Sequence, residues 1–151
     1  MKVLVFTIGQ DRYGLPLRAI ARVLPVVELK QLPLAPDYVA GLMDLHGEPV
    51  PVIDLSRLAG VTPEQVWFDT RIILVDYPAG AAGTRGLGLQ AEHVAGIDSI
   101  DPEALRTSGI TGAPFLGQVT GTAHGMLQLV DVEALLPPDV RALLFQPQDA
   151  A

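Results

Sequence analysis

The chain has 151 residues, of which 49% are apolar, and it has a formal net charge of −7 and no cysteine. This length suffices for one domain or two small ones, and the lack of cysteine excludes disulfides and thiol chemistry. Residues 58–151 carry eleven acidic and four basic side chains, so we predict that the protein has no nucleic-acid partner.

The N-terminal segment predicts a β-hairpin followed by a short helix. Val3–Ile8 is a β-forming apolar run, and a turn separates it from a second strand over Arg12–Leu17. Apolar spacing in Leu17–Val23 predicts one or two helical turns, which Pro25 ends. The opening run is too short for a signal peptide, and no stretch reaches the length of a membrane span. We therefore expect a cytoplasmic protein without membrane insertion.

The next segment predicts a second hairpin that leads into a short helix. Tyr38–His46 and Glu48–Leu55 are the two expected strands. Asp54 follows an apolar run and precedes Leu55, which is the position of an N-cap whose carboxylate accepts backbone N–H groups. Gly60 is placed to end this helix.

Three further strands surround a loop rich in Gly and Ala. Thr70–Tyr77 is strongly apolar, and Gly86–Gln90 and Val94–Ile100 continue as strands. Pro78–Arg85 predicts a hairpin loop rather than a phosphate-binding loop, because no Lys-Ser/Thr pair and no helix follow its glycines.

The C-terminal segment predicts a last strand pair and a last helix. The strands are Phe115–Ala123 and Met126–Val130, and Asp131 repeats the capping position of Asp54. Asp139–Phe145 predicts a short helix with Val140, Leu143 and Leu144 facing inward. We expect residues 146–151 to form a disordered tail.

The outline of residues 35–58 recurs about 77 residues later. The matching marks are Ala35-Pro36 with Ala113-Pro114, Gly41 with Gly117, His46-Gly47 with His124-Gly125, and Ile53-Asp54-Leu55 with Val130-Asp131-Val132. Upstream of this outline, Gly14-Leu15 also matches Gly86-Leu87, each after an apolar strand-like run. The repeat predicts a mainly β fold of two small barrels that share an interface. We place one domain over residues 1–145, with barrels at about 12–62 and 63–135 and with strand 3–8 joining the second. A crevice between two similar barrels favours a binding function over a catalytic one.

Asp44, His46 and Glu48 form the sharpest candidate for chemistry. A carboxylate–His–carboxylate set on alternate residues suits a divalent metal, and a small metal-dependent enzyme is one alternative function. However, Gly47 and Pro49 interrupt the strand, and the three side chains would lie about 7 Å apart along it. We therefore expect no metal and no cofactor. A free-standing peptide-binding module is the other alternative, because sheet edges and apolar barrel faces are common docking surfaces.

The order of the motifs resembles that of the CheW-like coupling proteins of bacterial chemosensory arrays, and the resemblance covers residues 3–145. The residues that carry it are Val3-Leu4-Val5-Phe6-Thr7-Ile8-Gly9, Tyr13-Gly14-Leu15, Leu32-Pro33-x-x-Pro36-x-Tyr38-Val39-x-Gly41, Gly47-x-x-Val50-Pro51-Val52-Ile53-Asp54-Leu55, Gly86-Leu87-Gly88-Leu89 with Val94, Phe115-Leu116-Gly117, Leu127–Asp131 and Leu135-Leu136. The resemblance implies two SH3-like five-stranded barrels. It also implies a non-enzymatic adaptor that binds the cytoplasmic tip of a chemoreceptor and the regulatory domain of a CheA-type histidine kinase.

Matching to the family motifs predicts four partner-binding residues, Ile20, Gly41, His46 and Val94. The family usually has Asn-Leu-Arg-Gly where this chain has Asp44-Leu45-His46-Gly47, so an always-charged guanidinium is replaced by an imidazole. This departure predicts a different receptor preference. The ending from Leu135 to Phe145 and the Tyr77-Pro78 loop resemble the couplers of surface-sensing, Wsp-type systems.

Overall fold

A computed structural model describes residues 1–109 and 112–145, and these form a mainly β molecule. Its strands are β1 (Lys2–Ile8), β2 (Asp11–Pro16), β3 (Ile20–Pro25), β4 (Val39–Leu45), β5 (Glu48–Asp54), β6 (Arg71–Pro78), β7 (Thr84–Ser99), β8 (Leu116–Thr122) and β9 (Gly125–Val130). The α-helices are α1 (Leu55–Leu58) and α2 (Pro138–Leu144), and single 3-10 turns lie at Leu17–Ala19, Gly80–Ala82, Pro102–Ala104 and Val132–Ala134. Across the described part of the chain, no helix is long and apolar enough to cross a membrane.

The strands form two SH3-like five-stranded barrels that share β7. The first barrel has the order β3-β6-β7-β5-β4, and the second has the order β7-β1-β2-β9-β8. Ala91 of β7 pairs with Arg71 of β6, whereas the next residue, Glu92, pairs with Thr7 of β1. The chain therefore passes between the barrels twice, at the 3-10 turn after β2 and inside β7.

Strand pairing, rather than one cut in the sequence, defines the barrels. β6 and the first half of β7 follow residue 62, yet they pair with β3 and β5. β1 and β2 begin the chain and pair with the second half of β7 and with β9. Each barrel thus contains strands from both sides of residue 62, because antiparallel neighbours need not be close in sequence.

The repeat is visible in equivalent hydrogen bonds and pairings. Asp54 N donates to Tyr38 O at 2.8 Å, and Asp131 N donates to Phe115 O at the same distance. In the parallel pairs, Gly14 lies opposite Leu129 and Gly88 lies opposite Val52. Since Val52 and Leu129 are equivalent in the repeat, the structural counterpart of Gly14 is Gly88 rather than Gly86.

Local spacing was misleading at three places. Only Leu17–Ala19 is helical in the predicted helix, because Ile20 and the residues after it pair with β6. The two strands predicted on either side of Glu92 are one continuous strand, β7. In α2, Val140 is buried, but Leu143 is 54% exposed and does not face inward. The tail predicted at residues 146–151 lies outside the described residues.

One hydrophobic core connects the barrels. Its buried side chains include Phe6 and Leu15 from the second barrel and Ile53, Ile73 and Leu89 from the first. Burying one such side chain contributes about 1.5–3 kcal/mol. The end of α2 joins this core because Phe145, the residue after the helix, stacks on Tyr77, with ring centroids 5.6 Å apart. The core therefore holds the barrels together as one packing unit.

Candidate functional site

A groove of about 540 Å³ opens where the chain first passes between the barrels. We call it the inter-barrel groove, and its lining residues are Pro16, Arg18, Ala19, Asp76, Pro78, Gly117, Gln118, Leu129, Val130, Asp131, Val132 and Glu133. These residues come from the β2–β3 connection, the end of β6 and the β8–β9 hairpin with its following turn. Both barrels therefore contribute to its walls.

The charged residues that line the inter-barrel groove are mainly acidic. Asp76, Asp131 and Glu133 line it, with Arg18 as the basic member. Asp131 is already engaged, since its Oδ1 accepts the backbone N–H of Glu133 at 3.1 Å and caps the 3-10 turn. Apolar lining residues alternate with these charges, so the groove suits a segment that presents an apolar face and basic side chains.

Ile20 and Val94 lie just after the two passages between the barrels. Ile20 follows Ala19 of the groove and pairs with Val75. Val94 lies two residues after Glu92, the first residue of β7 to pair with the second barrel. Both side chains are half-buried and pack against the main core. They occupy equivalent places in the repeat, and each contributes to packing as well as offering some exposed apolar surface.

Gly41 is a buried residue of β4 with φ of 148°. A Cβ at this position would lie 2.5 Å from the carbonyl oxygen of Lys30, which pairs with Leu42. Matching to the family motifs predicted that Gly41 is a partner-binding residue. The close approach seen in the structure is to the chain's own backbone, and the partner role of Gly41 stays a prediction.

His46 lies at the exposed tip of the β4–β5 hairpin. His46 and Gly47 have φ of 52° and 89°, as in a two-residue turn with both residues left-handed. Asp44 Oδ1 accepts the backbone N–H of Gly47 at 2.8 Å and closes the turn. This geometry presents the imidazole to solvent at a hairpin tip.

The predicted candidate set Asp44, His46 and Glu48 does not form a metal centre. Within residues 1–109 and 112–145, no group of three or more His, Asp or Glu side chains is arranged to hold an ion. The carboxylate of Asp44 serves the turn instead.

Asp54 caps α1 as predicted, with its Oδ1 accepting the backbone N–H of Arg57 at 3.2 Å. The carboxyl group is buried, and desolvation raises its pKa above the ordinary value of 3.8. Hydrogen bonding and the charge of Arg57 oppose this shift. The pKa of Asp54 is therefore raised because its carboxyl group is buried at the N-terminus of α1, where it serves as the helix cap.

A polar cluster at the β7 passage was not predicted from the sequence. We call it the crossover cluster, and its residues are Ser56, Trp67, Asp69, Glu92 and His93. Ser56 Oγ and Trp67 Nε1 donate to the two carboxylate oxygens of Glu92 at 2.7 and 2.8 Å. His93 Nδ1 lies 3.0 Å from Asp69 Oδ1. The residues of each hydrogen-bonded pair are separated by 24 to 36 positions, so no local pattern links them.

Comparison with known proteins gives consistent matches over most of the chain. The model of the family described as "CheW-like domain" matches residues 2–139. The chemotaxis protein CheW of Klebsiella aerogenes is 27% identical over 93% of this chain and 84% of that protein. Protein FrzA of Myxococcus xanthus is 32% identical over 61% of this chain and 59% of its own length.

A solved structure has the same fold. The scaffolding protein TtCheW of Thermoanaerobacter tengcongensis superposes with a TM-score of 0.82, at 24% identity, over 92% of this chain and 89% of that one. At this coverage the likeness extends over both barrels.

Proposed function

The chain belongs to the CheW-like domain family, and from this premise we propose that it is an adaptor that couples a chemoreceptor to a CheA-type histidine kinase. The observation that carries the proposal is the family match over residues 2–139, together with a groove between the two barrels. The relatives named as chemotaxis proteins support the same assignment. The adaptor holds receptor tip and kinase regulatory domain in one complex and so places the kinase under receptor control.

The inter-barrel groove is our candidate site for the receptor tip. Its apolar wall and acidic charges suit an amphipathic helix with basic side chains, because opposite charges steer such a partner into place. Neither Ile20 nor Val94 lines the groove; Ile20 adjoins it next to Ala19, whereas Val94 lies at the other passage between the barrels. We propose both as apolar contacts on the partner-binding surface, each worth about 1–3 kcal/mol where a partner buries it fully. His46, at the hairpin tip, is our candidate for selecting among receptors.

An adaptor fits the chemistry of this chain better than an enzyme. The carboxylates of Asp54 and Asp131 serve as caps, and that of Asp44 closes a turn. The Ser56 hydroxyl donates to Glu92 and is thus hydrogen-bonded to a carboxylate rather than to an imidazole. The engagement of Asp44, and the finding that no His, Asp or Glu group in the described part of the chain is arranged to hold an ion, leave the metal-enzyme alternative without a supporting observation.

The test is reconstitution with a chemoreceptor tip fragment and the regulatory domain of a CheA-type kinase from the same organism. We expect the wild type to bind each partner and to join them in one complex. Ile20→Lys and Val94→Lys should weaken receptor binding at least tenfold while the kinase domain still binds. Met126→Lys, at a side chain that is 69% exposed on β9, is the matched control and should bind the receptor tip normally.

Thermal melting separates loss of contact from loss of fold in these variants. A wild-type chain that binds neither partner would overturn the proposed function. Lysine variants that unfold would show that Ile20 and Val94 act as core residues, and the site assignment would then be wrong.

A further inference from the structure

β7 runs from one barrel into the other without stopping, but its pairing is interrupted at the passage. The β1–β7 register shifts between Val5 and Thr7, opposite the stretch that contains His93. His93 itself has φ of 49°, a left-handed conformation that interrupts an extended strand. The backbone ladder alone therefore leaves a pivot point between the barrels, and the angle there is set by the shared core and by the side chains beside the passage.

Side chains from the first barrel hold this pivot from one side. Glu92 accepts from Ser56 at the start of α1 and from the indole N–H of Trp67, at 2.7 and 2.8 Å. Both carboxylate oxygens are used, and a hydrogen bond to a charged acceptor is stronger than a neutral one. Glu92 is the first residue of β7 to pair with the second barrel.

The connection between α1 and β6 also holds the next two residues of β7. Asp69 Oδ1 lies 3.0 Å from His93 Nδ1, and the backbone oxygen of Asp69 accepts from Val94 N at 3.1 Å. The Trp67 ring packs on His93 with centroids 5.1 Å apart. Trp67 N donates to Thr70 Oγ1 at 2.9 Å, which stiffens the connection itself. Three consecutive residues at the pivot are thus tied to the first barrel.

The other passage between the barrels has different residues at the equivalent places. Arg18 and Ala19 correspond there to Glu92 and His93, and both line the inter-barrel groove. The passage at β7 is braced, whereas the passage at Leu17–Ala19 is open to a ligand. Any rotation about the braced passage would change the width of the open one.

We propose that Ser56, Trp67, Asp69 and Glu92 are positioning residues that fix the angle between the barrels and so set the shape of the inter-barrel groove. The inference depends on the proposed function in one respect, namely that the groove receives the receptor tip. The angle itself is a property of the free protein and can be measured without any partner.

The chain suits a spin-label measurement because it has no cysteine. Glu48→Cys and Ala123→Cys place labels at exposed positions in the β4–β5 and β8–β9 hairpins, one in each barrel. We expect a narrow distance distribution between the labels in the otherwise unchanged protein. Glu92→Ala should broaden it at least twofold, and Glu92→Gln, which keeps an acceptor for the indole, should restore most of the narrow distribution.

Two further variants keep the test decisive. Trp67→Phe keeps the ring packing but removes the N–H, so it should also broaden the distribution even if Glu92→Ala fails to fold. Phe68→Ser is the matched control, since Phe68 is 92% exposed; it should leave the distribution unchanged. Fluorescence of Trp67, the single tryptophan, should shift to longer wavelength in Glu92→Ala.

Receptor binding distinguishes this inference from the proposed function. Folded Trp67→Phe and Glu92→Ala proteins with distributions as narrow as the parent would overturn the brace. If Glu92→Ala and Trp67→Phe broaden the distribution of label-to-label distances, we expect both variants to bind the receptor tip at least fivefold more weakly than the parent protein. Broad distance distributions with unchanged receptor affinity would support the proposal that these residues fix the angle between the barrels. They would also overturn the assignment of the groove as the receptor site.

Discussion

At the scale of single residues, Gly41 shows how a family motif can have a structural cause. We predict that Gly41→Ala destabilises the protein by about 1–3 kcal/mol, because φ of 148° strains any L side chain and the new Cβ would meet Lys30 O. Urea unfolding measures the change. Gly121→Ala is the control, since nothing lies within 4 Å of a Cβ there and its φ is not positive. Equal stability of the Gly41 variant and the wild type would contradict the packing seen in the structure.

The raised pKa of the buried Asp54 carboxyl leads us to predict that the stability of the protein depends on pH. Its pKa is raised by burial above 3.8, so its contribution to stability is fully present below about pH 4 and is lost as pH rises through the folded pKa. Asp54→Asn keeps a good cap but cannot ionise. We therefore expect the variant to gain stability relative to the wild type between pH 4 and pH 7.

Urea unfolding at pH 4, 5.5 and 7 measures this trend for Asp54→Asn. Asp131→Asn changes the equivalent cap at an exposed position and is the matched control. A stability difference between Asp54→Asn and the wild type that moves the other way with pH would refute the assignment of the shift to burial.

His46→Arg restores the side chain usual in the family. We expect unfolding free energy within about 0.5 kcal/mol of the wild type, because position 46 is an exposed turn residue. The guanidinium adds a permanent charge beside Asp44 and should change receptor preference. Titration against a panel of receptor tips checks this, and identical preferences would show that position 46 does not select partners.

At the scale of elements, periodicity predicted strands well and failed where long-range pairing decided the outcome. Glu48–Leu55 was predicted nearly to its ends, because Asp54 supplies a local cap signal. Leu17–Val23 has helical spacing, but Ile20 and Val23 are β-branched and pair with β6. The Glu92–His93 segment gave no signal of its own, because its partners Ser56, Trp67 and Asp69 are distant in sequence.

The terminal helix α2 offers a test of which face it buries. Val140→Ala should cost about 1–2 kcal/mol, because Val140 is 5% exposed within the main core and loses buried methyl groups. Leu143→Ala should change stability by less than about 0.5 kcal/mol, since Leu143 is 54% exposed. Thermal or urea unfolding of both variants decides it; a larger cost at Leu143 would mean that the helix is rotated.

At the scale of the whole molecule, the order of motifs predicted the family and the two-barrel fold. It did so because turns, caps and apolar runs recur in each barrel at short range. The repeat could not show which barrel each strand joins. β1 and β6 occupy equivalent places in the repeat, one before and one after β3–β5 in the chain, yet β6 pairs with β3 and β1 pairs with the second half of β7. The crossover cluster could not be predicted either, because its bonded residues are distant in sequence.

Two fragments of the chain test separately how strand pairing and the shared core contribute to stability. Residues 63–151 lack β1 to β5, so we expect no cooperative thermal transition from them. Residues 20–91 keep all five strands of the first barrel but lose its contacts with Phe6, Leu15 and the other second-barrel members of the core. About 70 residues form a marginal domain, and the exposed core face should leave this fragment at least 10 °C less stable than the chain. Circular dichroism during heating measures both fragments. A 20–91 fragment that melts as cooperatively as the full chain, and at the same temperature, would show that the first barrel is stable without the second. The shared core would then align the two barrels but would not be needed for the first barrel to fold.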